Sequence, residues 1–334
     1  MDEELYSVDS YDNDSIEYES NVCEMGDYFI FNTHLTTVLY SLVFLFSLLG
    51  NTLVLWILFK YENLTSLTNI FIMNLCVSDL VFSCMLPFWV VDQSFGWMFG
   101  EFLCKAVNAV FSIGYYSGVF FLTLMTILRY LCVVNPLSTL RSQTQCRGFL
   151  VGLAVWTVSI LIVVPEVIYT TVQENLEGDK ICDADWKWKK VDIYLRNVLF
   201  LFSFGVIVFC YFKILIILLR ARSRRKHRTV KLILIIVVAF FLCWAPYNIL
   251  SFLITFHPPT CQYAKDSNLA FHISRKIAFS HCCLNPVLYV FVGVKFKRHL
   301  AQLCSHCSGN GKGEVSRPRF GSQGKFQNEG ASIY

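Results

Sequence analysis

The stretch FLTLMTILRYLCVV, Phe121 to Val134, holds a single charge, Arg129, near the end of an otherwise apolar run. A guanidinium at the centre of a bilayer-spanning helix costs about 2.5–3.5 kcal/mol on the insertion scale. Its place therefore depends on where the run begins. Upstream, Ala106 to Leu128 carries no charge at all. Roughly 20 apolar residues cross a hydrocarbon core about 30 Å thick, so this segment reads as a membrane span. Counting about 1.5 Å per residue from Cys104 puts Arg129 about 37 Å further along, at the opposite face.

Six more runs of the same kind flank it. Thr36–Phe59, Gly148–Pro165, Leu232–Phe256 and Ile277–Val294 carry no Asp, Glu, Lys or Arg; Asn69–Val91 has only Asp79 and Asn197–Leu219 only Lys213. The 334 residues are 55% hydrophobic and 16% charged, with a mean hydropathy of +0.52. Soluble domains sit near a quarter charged. One all-apolar helix fits a soluble core, but no soluble domain of this size could cover seven. The expected fold is an all-α integral membrane protein, a seven-transmembrane helix bundle over residues 36–294. An acidic segment, residues 1–35, precedes it, and a tail, residues 295–334, follows. In that tail KFKRHL (Lys295–Leu300) predicts a short amphipathic eighth helix on the membrane surface. The Gly/Ser-rich remainder predicts disorder.

Orientation follows the Lys/Arg count of the loops. Residues 1–35 contain ten Asp and Glu and no Lys or Arg, whereas Arg220–Lys231 and the segment from Lys295 each carry seven basic residues. This predicts a multi-pass plasma-membrane protein with its N-terminus extracellular. MDEELYSVDSYDNDSIEYES has neither a basic n-region nor an apolar h-region, so the first helix is expected to serve as its own signal. Asn13 then lies in an exterior glycosylation sequon, while the sequon at Asn63 faces the cytosol. Of fourteen cysteines, Cys23, Cys104, Cys182 and Cys261 fall outside. Four allow three pairings. Pairing Cys104 with Cys182 would pin the loop between spans four and five across the bundle and leave Cys23 with Cys261. Cys304 and Cys307, just past the eighth helix, read as palmitoylation sites rather than a metal or redox pair.

Polar groups inside spans are costly and functional by default. Asn51, Asp79 and Asn285 fall at similar depth if the spans alternate in direction, and are expected to satisfy one another through water. This knot is either structural glue or part of a switch, with a sodium site at Asp79 a weaker reading. Pro87, Pro165, Pro246 and Pro286 fall in or near spans, and each removes a backbone donor. Pro246 and Pro286 lie close to Trp244 and Tyr289, where a kink can act as a hinge between two packings. No P-loop, H-E-x-x-H or G-x-S-x-G motif occurs, so no enzyme is expected. No cofactor, resident metal or nucleic-acid partner is expected either. A transporter would favour inverted repeats or more intramembrane charge.

GNTLV, NLCVSD, the Arg129-Tyr130 pair, Trp156, CWAP and NPVLY occur in the order of the signature set of rhodopsin-like G-protein-coupled receptors, which the chain resembles. LRYLCVVNPL, SHCCLNPVLY, WMFG and the four exterior cysteines resemble the chemokine-receptor branch. SLTNIFIMNLCVSDLVF, PLSTLR, HRTVKLI, NPVLYVFVGVKF and the final EGASIY are similar to its XC type. Leu128 stands where the family usually has Asp beside the arginine, Ser203 where it has a proline, and Arg275 where many chemokine receptors carry Glu. The XC type lacks all three as well. Without that Asp, Arg129 must find another partner or stay loose.

The resemblance implies a basic chemokine ligand, lymphotactin, first met by the acidic N-terminus with Tyr6, Tyr11 and Tyr18 as sulfation sites. It implies a pocket lined by Tyr40, Trp89, Phe111, Tyr247 and Arg275, the last favouring an acidic group on the ligand. Trp244 and the Pro246 kink would carry the change inward to Arg129, Tyr130, Tyr211 and Tyr289. The inner partners would be a Gi-type heterotrimeric G protein and arrestin. An altered span-three motif also occurs in scavenging receptors that internalise chemokine without signalling.

Overall fold

The computed structural model describes residues 26–62, 64, 66–135, 145–174, 178–220, 224–256 and 261–292. In chain order these form α1 (Gly26–Tyr61), α2 (Leu67–Ser83), α3 (Leu86–Phe95), α4 (Gly100–Val134), α5 (Gln145–Tyr169), β1 (Thr170–Glu174), β2 (Lys180–Ala184), α6 (Trp186–Arg220), α7 (Arg224–Phe256), α8 (Cys261–Phe279) and α9 (His281–Val292). Spans two and seven are each a helix pair, α2–α3 and α8–α9. Six segments among the described residues are long and apolar enough to cross a membrane. Leu49, Leu153, Phe202, Phe209, Phe212 and Leu242 point outward. Such a girdle would drive a soluble protein to aggregate; in a bilayer it is the lipid face.

The centre is α4, which packs against α2, α5, α6, α7 and both strands, while α1 closes the ring on α2 and α9. At Gly50 two helices approach closely. A Cβ there would lie 2.8 Å from Cβ of Pro286 and 2.9 Å from its Cγ, so only a residue without a side chain lets α1 meet α9 at this point. Ser78 and Ser117 hydroxyls bond at 2.8 Å between α2 and α4. Trp156 Nε1 donates to Asn74 Oδ1 at 2.9 Å, fixing α5 to α2.

The prolines act unequally. Ahead of Pro87 the helix stops at Ser83 and restarts at Leu86, since the proline has no N–H for the Ser83 carbonyl four residues back and its ring crowds that carbonyl. Pro165 and Pro246 sit inside uninterrupted helices. Span seven breaks at Ser280, well before Pro286. There the run Ser280-His281-Cys282-Cys283 caps successive carbonyls by reaching back three residues. Ser280 Oγ donates to Ile277 O (2.7 Å), Cys282 Sγ to Phe279 O (3.2 Å) and Cys283 Sγ to Ser280 O (2.9 Å), and His281 Nδ1 meets Ala278 O at 2.8 Å. Pro286 cannot donate to Cys282 O; Asn51 Nδ2 takes that carbonyl instead, at 2.9 Å.

Two expectations need correction, and the helical bundle carries one addition: β1 and β2 form an antiparallel hairpin, with Val172 opposite Cys182. The basic segment from Arg220 to Lys231 is not one loop, because α7 already begins at Arg224. The helices also run beyond the charge-free cores: α5 to Tyr169, α6 from Trp186 and α8 from Cys261. Tyr6, Tyr11, Asn13, Tyr18, Cys23, Asn63, the eighth helix, Cys304 and Cys307 lie outside the described residues, as do the side chains of Cys261 and Tyr289.

Candidate functional site

The outer mouth is built by a disulfide. Cys104, near the start of α4, is bonded to Cys182 on β2, 78 positions away. Asn108 Nδ2 also meets Cys182 Sγ at 3.0 Å. Trp97, 3% exposed, packs with Cys104, Val107, Val172 and Cys182. Its backbone N–H donates to Lys180 O and its Nε1 to Gly100 O, both at 2.8 Å. Gly96 precedes it with φ +70°, a left-handed conformation that side chains rarely adopt. The WMFG segment is thus the hinge pin between the α3–α4 turn and the hairpin.

Beneath the hairpin lies a cavity of about 500 Å³ that touches α3 to α8, lined among others by Trp89, Phe111, Tyr247 and Arg275. Four of the five expected pocket residues inside the bundle therefore meet there. Tyr40 does not line it: it is buried behind, stacked on Phe279 at 5.5 Å, with its hydroxyl facing Arg275. The Arg275 guanidinium sits over the rings of Trp89 (5.1 Å) and Phe279 (5.4 Å). These cation–π contacts hold a guanidinium that makes no ion pair within 4 Å among the described residues. Sequence reading missed Glu166, Asp192 and Arg196, which line the same cavity. Asp192 and Arg196 pair at 2.9 Å, and Tyr116 Oη donates to Asp192 Oδ1 at 3.3 Å.

Below the cavity, Trp244 is fully buried. Its ring centroid lies 4.4 Å from Tyr115, 5.9 Å from Phe82 and 5.2 Å from His281. Phe279, at 6.3 Å, bridges it to the Arg275 clamp. Below that comes the polar core. Asn285 Nδ2 donates to Asp79 Oδ2 at 2.6 Å, while Asn51 bonds Ser47 and Cys282 O rather than Asp79. The expected trio is two linked sites, bonded directly. The unexpected member is His281, whose Nε2 lies 3.6 Å from Asp79 Oδ1. A carbonyl only accepts, so the contact with Ala278 O requires the hydrogen on Nδ1. Both Asp79 oxygens are thus met by nitrogen. A hard cation takes oxygen ligands, whereas the nearest polar neighbours of both Asp79 oxygens are the Asn285 and His281 nitrogens.

At the inner end Arg129 is held rather than loose. It is 8% exposed, and its Nη2 donates to Thr68 Oγ1 at 3.0 Å. Leu128 beside it is buried. The Tyr211 hydroxyl is buried near Arg129 without a hydrogen bond. Tyr130 faces away, against Phe209 at 6.4 Å.

A covered outer pocket, an aromatic floor and a buried arginine at the inner end define a seven-helix membrane receptor, and the chain belongs to the family described as 7 transmembrane receptor (rhodopsin family), which it matches over residues 50–289. Among its relatives it is 50% identical to chemokine XC receptor 1 of Homo sapiens, over 95% of this chain and 96% of that one. It is 47% identical to chemokine XC receptor 1 of Mus musculus, over the full length of both. CX3C chemokine receptor 1 of Oryctolagus cuniculus is 36% identical, over 91% of this chain and 87% of that protein. The chain is accordingly a multi-pass plasma-membrane protein of the chemokine-receptor branch.

Proposed function

We propose that the chain binds a basic chemokine, lymphotactin, and couples it to Gi-type heterotrimeric G proteins and cell migration, with arrestin as a second inner partner. The observation that carries this reading is the unbroken aromatic path from pocket to core. Arg275 lies on Phe279, Phe279 meets Trp244, and Trp244 packs against Tyr115 and His281 beside Asp79. A ligand that prefers one packing of Phe279 and Trp244 shifts the population of the whole bundle. Ten carboxylates in residues 1–35 attract a basic partner and raise its rate of encounter. Sulfation of Tyr6, Tyr11 and Tyr18 adds to that charge; Asn13 is the glycan site, and lipid on Cys304 and Cys307 anchors the tail. The pair Cys23–Cys261 ties the N-terminal segment beside the pocket.

The test is lymphotactin-stimulated Gi activation and migration in transfected cells. A Gi response at nanomolar ligand is expected. Uptake of ligand with no G-protein response would instead favour a scavenger, the reading that Leu128 in place of an acidic residue supports. Arg275→Glu should weaken activation at least tenfold more than capture by the N-terminus; equal losses would count against a two-step engagement.

A further inference from the structure

A second concavity lies on the outside of the bundle, away from the route that joins pocket to core. It holds about 550 Å³ at the outer ends of α5 and α6, where the hairpin leaves one helix and enters the other. Ile168 and Val191, both exposed, are its apolar edges. At spacings of three, four and seven they continue the outward rows of Val164 and Leu161 on α5 and of Val198 and Leu201 on α6. The groove therefore opens where the lipid face ends, at the level of the headgroups.

Tyr and Trp collect at that level in any membrane protein, but this groove carries more than rings. Tyr169 and Trp188 stack at 5.3 Å and 20° to form an aromatic wall. Asp185 and Lys187, both exposed, line the same groove with opposite charges. Among the described residues neither makes an ion pair within 4 Å. Asp185 Oδ1 instead accepts from the backbone N–H of Lys187 at 2.9 Å, which caps the start of α6. A carboxylate, an ammonium and stacked rings, unpaired and side by side, complement a partner that is itself a zwitterion. A quaternary ammonium has no N–H to donate, so ring faces hold it, helped by a nearby negative charge. A phosphate takes N–H donors, which a lysine supplies. An anionic lipid would meet Lys187 but also Asp185, and a sterol would use neither charge.

We propose that this groove binds the head of a choline phospholipid of the outer leaflet, its trimethylammonium against Tyr169, Trp188 and Asp185 and its phosphate on Lys187. The bound head sits at the joint between hairpin and bundle. The Asp185 N–H donates to Tyr169 O at 3.0 Å there, and Thr170 stands opposite Ala184 as the first pair of the hairpin. Trp188 also lines the inner cavity, so the two spaces share a wall.

Native mass spectrometry of the purified full-length receptor tests the site. Bound lipid is counted after exposure to equal amounts of phosphatidylcholine, phosphatidylethanolamine and phosphatidylglycerol, all with dioleoyl chains. Phosphatidylcholine should be retained about threefold or more over each of the others. This comparison is made on the parent and holds whatever a substitution does to folding. Asp185→Asn keeps a residue fit to cap α6 and should abolish the discrimination against phosphatidylglycerol. Tyr169→Leu should lower phosphatidylcholine to the level of phosphatidylethanolamine, and Lys187→Gln should reduce retention of all three. Leu153→Ala, on the lipid face nearer the other end of α5, should change nothing. Retention that follows the proportions of the mixture overturns the site, as does a preference that survives both Asp185→Asn and Tyr169→Leu. A receptor dimer that these two variants dissociate, with lipid retention unchanged, also overturns it and makes the groove an interface between copies.

Discussion

At the residue scale, Arg129 shows how a chain replaces a missing partner. Leu128 cannot pair with it, so the guanidinium crosses to the first turn of α2 and bonds Thr68. Bonds to charged groups contribute about 1.5–3 kcal/mol. Thr68→Val should therefore raise ligand-independent nucleotide exchange on G protein about tenfold, and Thr68→Ser should not; basal exchange in membranes reads this. Unaltered basal exchange would mean the bond does not distinguish the two states. Asp79→Asn keeps an oxygen to accept from Asn285 but replaces the ionisable carboxyl that faces His281. It should leave surface expression near normal and uncouple signalling, read as ligand binding without G-protein response. Arg129, Asp79, Asn285 and Trp244 were legible because a polar or bulky residue in an apolar run announces itself. Glu166, Asp192 and Arg196 were not. Each lies just beyond the charge-free run, where a charge marks the end of a span in sequence and yet lines the cavity in the fold.

At the scale of elements, α1 meets α9 only because position 50 lacks a side chain. Gly50→Ala forces its Cβ against a rigid proline ring and should cost about 1–3 kcal/mol, visible as a lower melting temperature of purified receptor. Gly50→Leu should abolish surface expression. The hairpin depends on covalent and polar ties more than on apolar alternation. Cys104→Ala, Cys182→Ala and the double variant should therefore lose ligand binding to the same extent, tenfold or more, since each removes the same bond; a double variant much worse than either single would show separate roles. That dependence is why the strands escaped sequence reading: TTVQE and KICDA are five-residue segments without a buried stripe. The break at Ser280 escaped for a related reason. Side chains reaching back three residues leave no mark on hydropathy, while Pro286, the obvious breaker, lies inside α9.

For the whole molecule, polarity governs encounter. With all ten acidic residues of the first 35 outside and the basic segments inside, ligand association should slow severalfold as salt is raised from about 0.01 to 0.15 M. The dissociation rate should change little; surface plasmon resonance on captured receptor separates the two. An antibody against the Tyr334 terminus should stain cells only after permeabilisation. The span count was legible as a whole because seven apolar runs leave no soluble alternative, although the seventh is weak at its outer end, where α8 carries Arg275 and Lys276 in its last turns. That weakness bears on biogenesis. The last span to leave the ribosome enters the lipid with the least greasy leader. What retains it is a pair of hooks already waiting in the bilayer, the Asn51 amide for the carbonyl of Cys282 and the Asp79 carboxylate for Asn285. The receptor's final transmembrane segment is thus harboured by its first two.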